Sequence, residues 1–334
     1  MSSIDDLIIG TLETAPAADE ESRRLIAERA ANVLRPAGAL ARLDDIAAWL
    51  ASWQRTTRPA VTKPAVVVFV ADHGVTAEGV SAYPAEVTVA MLRALQEGVA
   101  TAAAMSGTVG ADLRVVDVGV GDPTGNIVVE PAMSSARFQT SFEAGREAVA
   151  ALDCDLLIFG EMGIGNTTPA AAVAAALFGG PAEEWTGRGT GVDDETWSRK
   201  VAAVEAARAR IAHDASPMEI LREVGGAELA AIAGAMVEAR VRSIPVLLDG
   251  FVVTAAVAPL AVLHPGALDN CLAGHRSPEP GHAMLLDKLG LEPLLDLGMR
   301  LGEASGALAA LPLVRLAATV VIDVATFEEW GLTR

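Results

Sequence analysis

Four short runs rich in apolar residues stand out along the chain, at 65–70, 113–118, 156–159 and 246–248. The first, Ala-Val-Val-Val-Phe-Val, contains no polar residue, as expected for a strand of a parallel sheet covered on both faces. Between the runs, apolar residues recur at helical spacing and predict helices over 86–105, 141–151, 195–212 and 227–241. Ahead of the first run, 20–34 and 44–53 read as amphipathic helices split by Pro36 and Gly38. Residues 56–64, rich in Thr, Arg and Pro, read as a linker. This alternation predicts an α/β fold with a doubly wound, mostly parallel sheet and right-handed crossovers. In such a sheet ligands sit at the carboxyl ends of strands. Residues 244–263 have the length of a membrane span, but Pro245, Asp249-Gly250 and Pro259 divide them into a strand, a loop and a helix.

Composition narrows the function. With 334 residues, 51% of them hydrophobic, the chain can bury a large core. Aromatics at 4% and a net charge of −18 argue against nucleic acid as a partner, since base-stacking platforms are scarce and phosphate backbones are repelled. An anionic substrate must therefore be held locally, by backbone amides and a few cations. Cys154 and Cys271 are far apart and in no paired spacing, which points to neither a disulfide framework nor a zinc cluster and predicts a reducing, cytoplasmic setting. The N-terminal Met-Ser-Ser-Ile-Asp-Asp is acidic and has no signal-like apolar core.

The richest segment is Gly160-Glu161-Met162-Gly163-Ile164-Gly165-Asn166-Thr167-Thr168, between the run at 156–159 and an alanine-rich helix with Pro169 in its first turn. A strand, a glycine loop and a helix N-terminus in that order aim backbone N–H groups at one point and suit a phosphate. Glu161 adds a carboxylate, and together they fit a ligand with a phosphate and hydroxyl or cationic parts, such as a phosphoribosyl group. Gly187-Arg188-Gly189-Thr190-Gly191, with Lys200 on the next helix, reads as the second side of the clamp. Asp249 follows a strand and either meets ribose hydroxyls, opposes a pyridinium, or caps a helix. Asp72-His73-Gly74 fits a hydrolase or metal site, or a loop fixed by Asp72. Tyr83, the only tyrosine, suits the wall of a flat-ligand pocket or an ordinary half-buried position. Two histidines and a glutamate in 274–282 suggest a metal, but the prolines there predict an irregular loop and no further ligand completes a shell. Glu303, between Gly302 and Ala304-Ser305-Gly306, would be a general base if desolvated and a bland loop residue if not.

Taken in order, these motifs, with Gly79-Val80-Ser81-Ala82-Tyr83-Pro84, resemble the nicotinate-mononucleotide:5,6-dimethylbenzimidazole phosphoribosyltransferases over residues 34–327. The resemblance implies a Rossmann-like large domain (60–307) and a small helical domain from both chain ends (1–55 with 308–334). It implies a homodimer acting on nicotinate mononucleotide and 5,6-dimethylbenzimidazole, with no metal or other cofactor. It places the catalytic base at Glu303, and the phosphoribosyl and nicotinate contacts at Glu161, Gly163, Gly165, Asn166, Thr167, Thr168, Gly189, Thr190, Gly191, Lys200 and Asp249. The base pocket falls at Ser81, Tyr83 and Met91. The chain departs from the family pattern at Ala85 and Ala90, where polar residues are expected, and at 35–40, 121–126 and 322–327.

Three alternatives follow from the residues. The same chemistry could use another benzimidazole, a purine or a phenol as acceptor. A metal-dependent phosphatase or nucleotidase could use Asp72, His73, His275, Glu279 and His282. A non-catalytic nucleotide-binding protein could keep the fold.

Overall fold

β1 (Pro64–Ala71) is buried along its whole length, and its side chains divide between the two faces of the sheet. Ala65, Val67, Phe69 and Ala71 enter one core, and Val66, Val68 and Val70 enter the other. That two-sided burial is why the strand is apolar without alternation. The computed structural model describes residues 3–333; Met1 and Ser2 of the acidic N-terminal hexapeptide, and Arg334, lie outside the described residues.

In chain order, α1 (Ile4–Thr14), α2 (Glu20–Asn32) and α3 (Arg42–Gln54) precede β1. Between β1 and β2 (Asp112–Gly119) come α4 (Val87–Gln96) and α5 (Thr101–Val109), and α6 (Ser135–Ala150) leads to β3 (Leu156–Met162). Then α7 (Thr167–Phe178), α8 (Ala182–Trp185), α9 (Asp194–Ala209), α10 (Pro217–Val224) and α11 (Ala227–Val241) lead to β4 (Val246–Leu248). Beyond it α12 (Phe251–Leu263), β5 (Cys271–His275), α13 (Pro280–Leu289), β6 (Pro293–Leu295) and α14 (Ser305–Ile322) complete the chain. The strands form one sheet in the order β2-β1-β3-β4-β5-β6, parallel throughout. The doubly wound parallel architecture expected from the alternation is therefore the architecture observed.

Leaving β1 the chain moves to β2 on one side, then returns past β1 to build β3 to β6 on the other. The crossovers thus diverge between β1 and β3, and their carboxyl ends open a crevice there. One face is covered by α1, α6, α7 and α9 to α12, the other by α2 to α5 and α14. The N-terminal helices are therefore split: α1 packs on α10 and α11, whereas α2 and α3 pack with α14. By length and composition α14 could cross a membrane, but 56% of it is buried, against α3, α5 and β5 among others.

Two expectations need correction. The helix over 86–105 is two helices, because Gly98 takes a left-handed φ of 77° and the chain restarts at Thr101. The stretch 274–282 is not one irregular loop: Gly274 and His275 end β5, and Pro280 opens α13. β5 escaped notice because its five residues, Cys-Leu-Ala-Gly-His, end in glycine and histidine and carry little apolar signal. The segment 244–263 is β4, a short loop and α12.

Candidate active site

A cleft lies at the carboxyl ends of the central strands. Glu161, Gly163, Gly165, Asn166 and Thr167 line it from the end of β3 and the start of α7. Gly189 and Thr190 line it from the loop before α9, Lys200 from α9 itself, and Ser81 from the loop after β1. The loop at 163–166 is held from below, where Ile164 N–H donates to the Thr88 hydroxyl at 3.2 Å. The first turn of α7 faces the cleft, so its N-terminal partial charge favours an anion there.

Lys200 is only 2% exposed, and its ammonium donates to Thr167 Oγ1 at 2.8 Å. Burial lowers its pKa, with Glu279 opposing the shift. Gly189, at φ 53°, passes so close to Lys200 Nζ and Thr167 Oγ1 that a Cβ would sit 3.3 Å from each. Amine, hydroxyl and loop backbone thus converge on one place, which is the arrangement a phosphate monoester needs.

Glu161 supplies the opposite polarity. Burial raises its pKa to about 8, the Asn166 side chain that donates to it works against the rise, and Asp249, Glu228 and Glu303 add to it. A group poised in this way becomes a carboxylate when a cation arrives beside it. Its neighbour across the cleft wall is the loop 302–304, where Glu303 N–H donates to Glu161 O at 3.2 Å. Gly302, Glu303 and Ala304 all have positive φ (84°, 57° and 63°), so two non-glycine residues hold a left-handed backbone here.

Glu303 does not line the cleft in this conformation. It is 2% exposed and accepts a long hydrogen bond from Ala102 N–H, 3.5 Å, in the first turn of α5. Burial raises its pKa and that N–H pulls the other way. The break at Gly98 is what points the N-terminus of α5 at this carboxylate.

Asp249 also lies outside the cleft wall. Its Oδ1 accepts from Ala307 N–H at 3.0 Å, and further N–H groups at Gly306, Gly250 and Ala304 face the carboxyl, which burial nonetheless raises to about 7. It caps the start of α14 and thereby fixes the loop bearing Glu303. Thr168 and Gly191 are not cleft residues, nor are Tyr83, which is 51% exposed, and the half-buried Met91.

The sequence reading passed over Arg300 and Ser277, gave Arg188 no role beyond its place in the loop 187–191, and treated His275 and Glu279 only as possible metal ligands, yet all five line the cleft. Arg300 NH1 donates to Gly189 O at 3.2 Å and ties the two cleft loops together. Only the position of Arg300 three residues before Glu303 could have drawn attention to it. His282 is buried away from the cleft. It accepts from Ser277 N–H at Nδ1 (3.0 Å), places Nε2 3.1 Å from Thr254 Oγ1, and is kept neutral by burial, with a pKa of about 3. His73 is paired instead with Glu228, 2.6 Å away in the core, and Asp72 accepts from Gly121 N–H at 2.8 Å. Asp72 therefore fixes a loop, and His73 is engaged by Glu228 in the core. Among the described residues no group of three or more His, Cys, Asp or Glu could hold a metal ion.

A family model described as phosphoribosyltransferase matches residues 15–332. The nicotinate-nucleotide–dimethylbenzimidazole phosphoribosyltransferase of Mesorhizobium japonicum is 50% identical over 99% of this chain and 98% of its own length. That of Methylorubrum extorquens is 47% identical over 98% of this chain and 96% of its own. The crystal structure of CobT from Thermus thermophilus superposes with a TM-score of 0.90 at 43% identity, covering 94% of this chain and 99% of that one.

Proposed function

The chain belongs to the nicotinate-nucleotide–dimethylbenzimidazole phosphoribosyltransferase family, and from that premise we propose how its cleft carries out the transfer. The enzyme moves the phosphoribosyl group of nicotinate mononucleotide to 5,6-dimethylbenzimidazole. The products are nicotinate and α-ribazole 5′-phosphate, the nucleotide of the cobalamin lower ligand.

The observation that carries the reading is one cleft holding an anion cradle and, beside it, a buried carboxyl of raised pKa. The 5′-phosphate docks at Lys200, Thr167, Gly189 and the N-terminus of α7. That fixes C1′ and the pyridinium near Glu161, whose carboxyl ionises against the incoming positive charge. The benzimidazole lies toward Ser81, Tyr83 and Met91. Its unprotonated nitrogen attacks C1′ as the C1′–N bond to the pyridinium breaks, and the bonding pair leaves with nicotinate. The N–H proton of the acceptor passes to Glu303. In-line displacement inverts the β-nucleotide to the α-riboside, and Glu161 offsets the cationic character of the ribose at the transition state.

Gly302 joins the two roles, since it lies against the Glu161 carboxyl while its neighbour Glu303 carries the base. The acceptor must reach Glu303, so the loop 79–86 closes over it. The exposed Tyr83 and Leu301 near the cleft support a homodimer in which a second copy covers this rim. The free cysteines, one of them buried, support a reducing cytoplasm.

The test is incubation of the purified protein with nicotinate mononucleotide and 5,6-dimethylbenzimidazole, followed by chromatography for both products. Equimolar nicotinate and α-ribazole 5′-phosphate are expected. Nicotinate without the riboside would mean hydrolysis and would count against the transfer.

A further inference from the structure

The motif 274–282 contributes a residue to the cleft that the transfer described above leaves idle. Glu279 caps the start of α13, is 7% exposed and lines the cleft, and its Oε2 is buried without a hydrogen-bond partner. Gly187 passes directly over this carboxyl, so closely that a Cβ there would overlap it. Two residues on, Gly189 donates its N–H to Glu279 and also touches Lys200 and Thr167. The loop 187–189 therefore touches both the cation of the phosphate cradle and this carboxyl. An ionised carboxylate in that position would repel a phosphate dianion.

We propose that Glu279 belongs to the 5′-phosphate cradle and acts there as a neutral carboxylic acid, donating its proton in a hydrogen bond to a phosphate oxygen. This rests on the placement of the phosphate at Lys200 given above. Lys200 from α9 and Arg300 from the loop before α14 are cationic and favour its ionised form, as does Gly189 N–H, while burial outweighs them and raises its pKa. His275, at the end of β5, has its pKa lowered by burial, and His282, on the same helix as Glu279, is neutral; neither adds charge. His282 instead pins Ser277 through its backbone N–H and so fixes the turn from which Glu279 projects. The acid form gives the orphaned Oε2 a donor role, and the phosphate supplies its missing partner.

The consequence is a proton taken up when the phosphate binds. The phosphate monoester itself ionises near pH 6 and stays a dianion from pH 7 to 9. Glu161 titrates in that range too, so the contribution of Glu279 is the difference in slope between the unsubstituted enzyme and Glu279→Gln, which share Glu161 and Lys200. Binding selects protonated Glu279, hence affinity is full below the pKa of the free carboxyl and falls above it, toward about tenfold per pH unit.

The experiment measures KM for nicotinate mononucleotide from pH 7 to 9 in the unsubstituted enzyme, Glu279→Gln and Glu279→Ala. Calorimetric proton uptake in two buffers of different ionisation enthalpy accompanies it. Glu279→Gln keeps a donor that cannot ionise. It is expected to bind about as well at pH 7, to lose the part of the pH slope due to this carboxyl, and to take up about one proton fewer. Glu279→Ala should bind about tenfold or more weakly throughout. Nicotinate riboside, which lacks the phosphate, should bind all three equally. An unchanged slope in Glu279→Gln, Gln and Ala variants equally weak, or a riboside that weakens in parallel would overturn the proposal. Product formation by the unsubstituted enzyme is read in the same assay, so failure of the transfer reading shows separately. Proton uptake needs no turnover.

Discussion

The two halves of the cleft are built differently. The half assigned to the phosphoribosyl group centres on the buried Lys200, Asn166 and Glu161, joined as Lys200 to Thr167 and Asn166 to Glu161, with the exposed Arg300 on Gly189 at its rim. The acceptor half has Tyr83 half in solvent, Met91 half-buried, and Glu303 facing α5 rather than the cleft. The first half hangs on β3 and α7 in the middle of the sheet, where both faces are packed and side chains cannot drift. The second hangs on a loop after β1 and on a left-handed turn before α14. On the proposed assignment, the nucleotide half is held by internal hydrogen bonds and the acceptor half is not.

The sharpest way to break this division is at Glu303, where the halves meet. Glu303→Gln keeps the size of the side chain and removes the base. Turnover should fall by about 10²- to 10⁴-fold, while nicotinate mononucleotide binds as before. Stopped-flow or steady-state assays with nucleotide binding measured in parallel check this, and undiminished turnover would take the base role from Glu303. In the nucleotide half, Lys200→Met should raise KM for the nucleotide by about 10- to 150-fold, from the loss of about 1.5–3 kcal/mol of charge-assisted hydrogen bonding. Its kcat and its KM for the acceptor should change little, and an equal loss in kcat would show that the phosphate contact also serves the transition state. The smallest effect belongs to the exposed half. Tyr83→Ala should raise KM for 5,6-dimethylbenzimidazole about 2- to 12-fold, from about 0.5–1.5 kcal/mol of aromatic contact. Nucleotide binding should not move. If it does, the two halves are one site and the division fails.

Much of the cleft wall was legible in the chain. Glycines at 163 and 165 between a buried strand and an alanine-rich helix have few uses other than a close backbone approach, and Glu161 is fixed at the strand end by register alone. Asp249 was legible as a strand-end carboxylate but not as a cap for α14, which starts more than fifty residues later. Glu279 was legible only as a possible metal ligand in the proline-bounded stretch 274–282, and only the fold brings it against Gly187 and Gly189.

What the sequence determined by itself was local and periodic: apolar runs become covered strands because they have no other way to bury their side chains. It also determined which residue types stand at strand ends, since each apolar run stops where glycine and polar residues begin. The tertiary structure alone decided which ends meet. The sheet order puts β1 beside β3, the break at Gly98 turns α5 toward Glu303, and the desolvation that shifts Glu161, Asp249, Glu279 and Glu303 comes from residues distant in the chain. Burial is a property of the packed whole, so the chemistry of a carboxylate cannot be read from its neighbours in sequence.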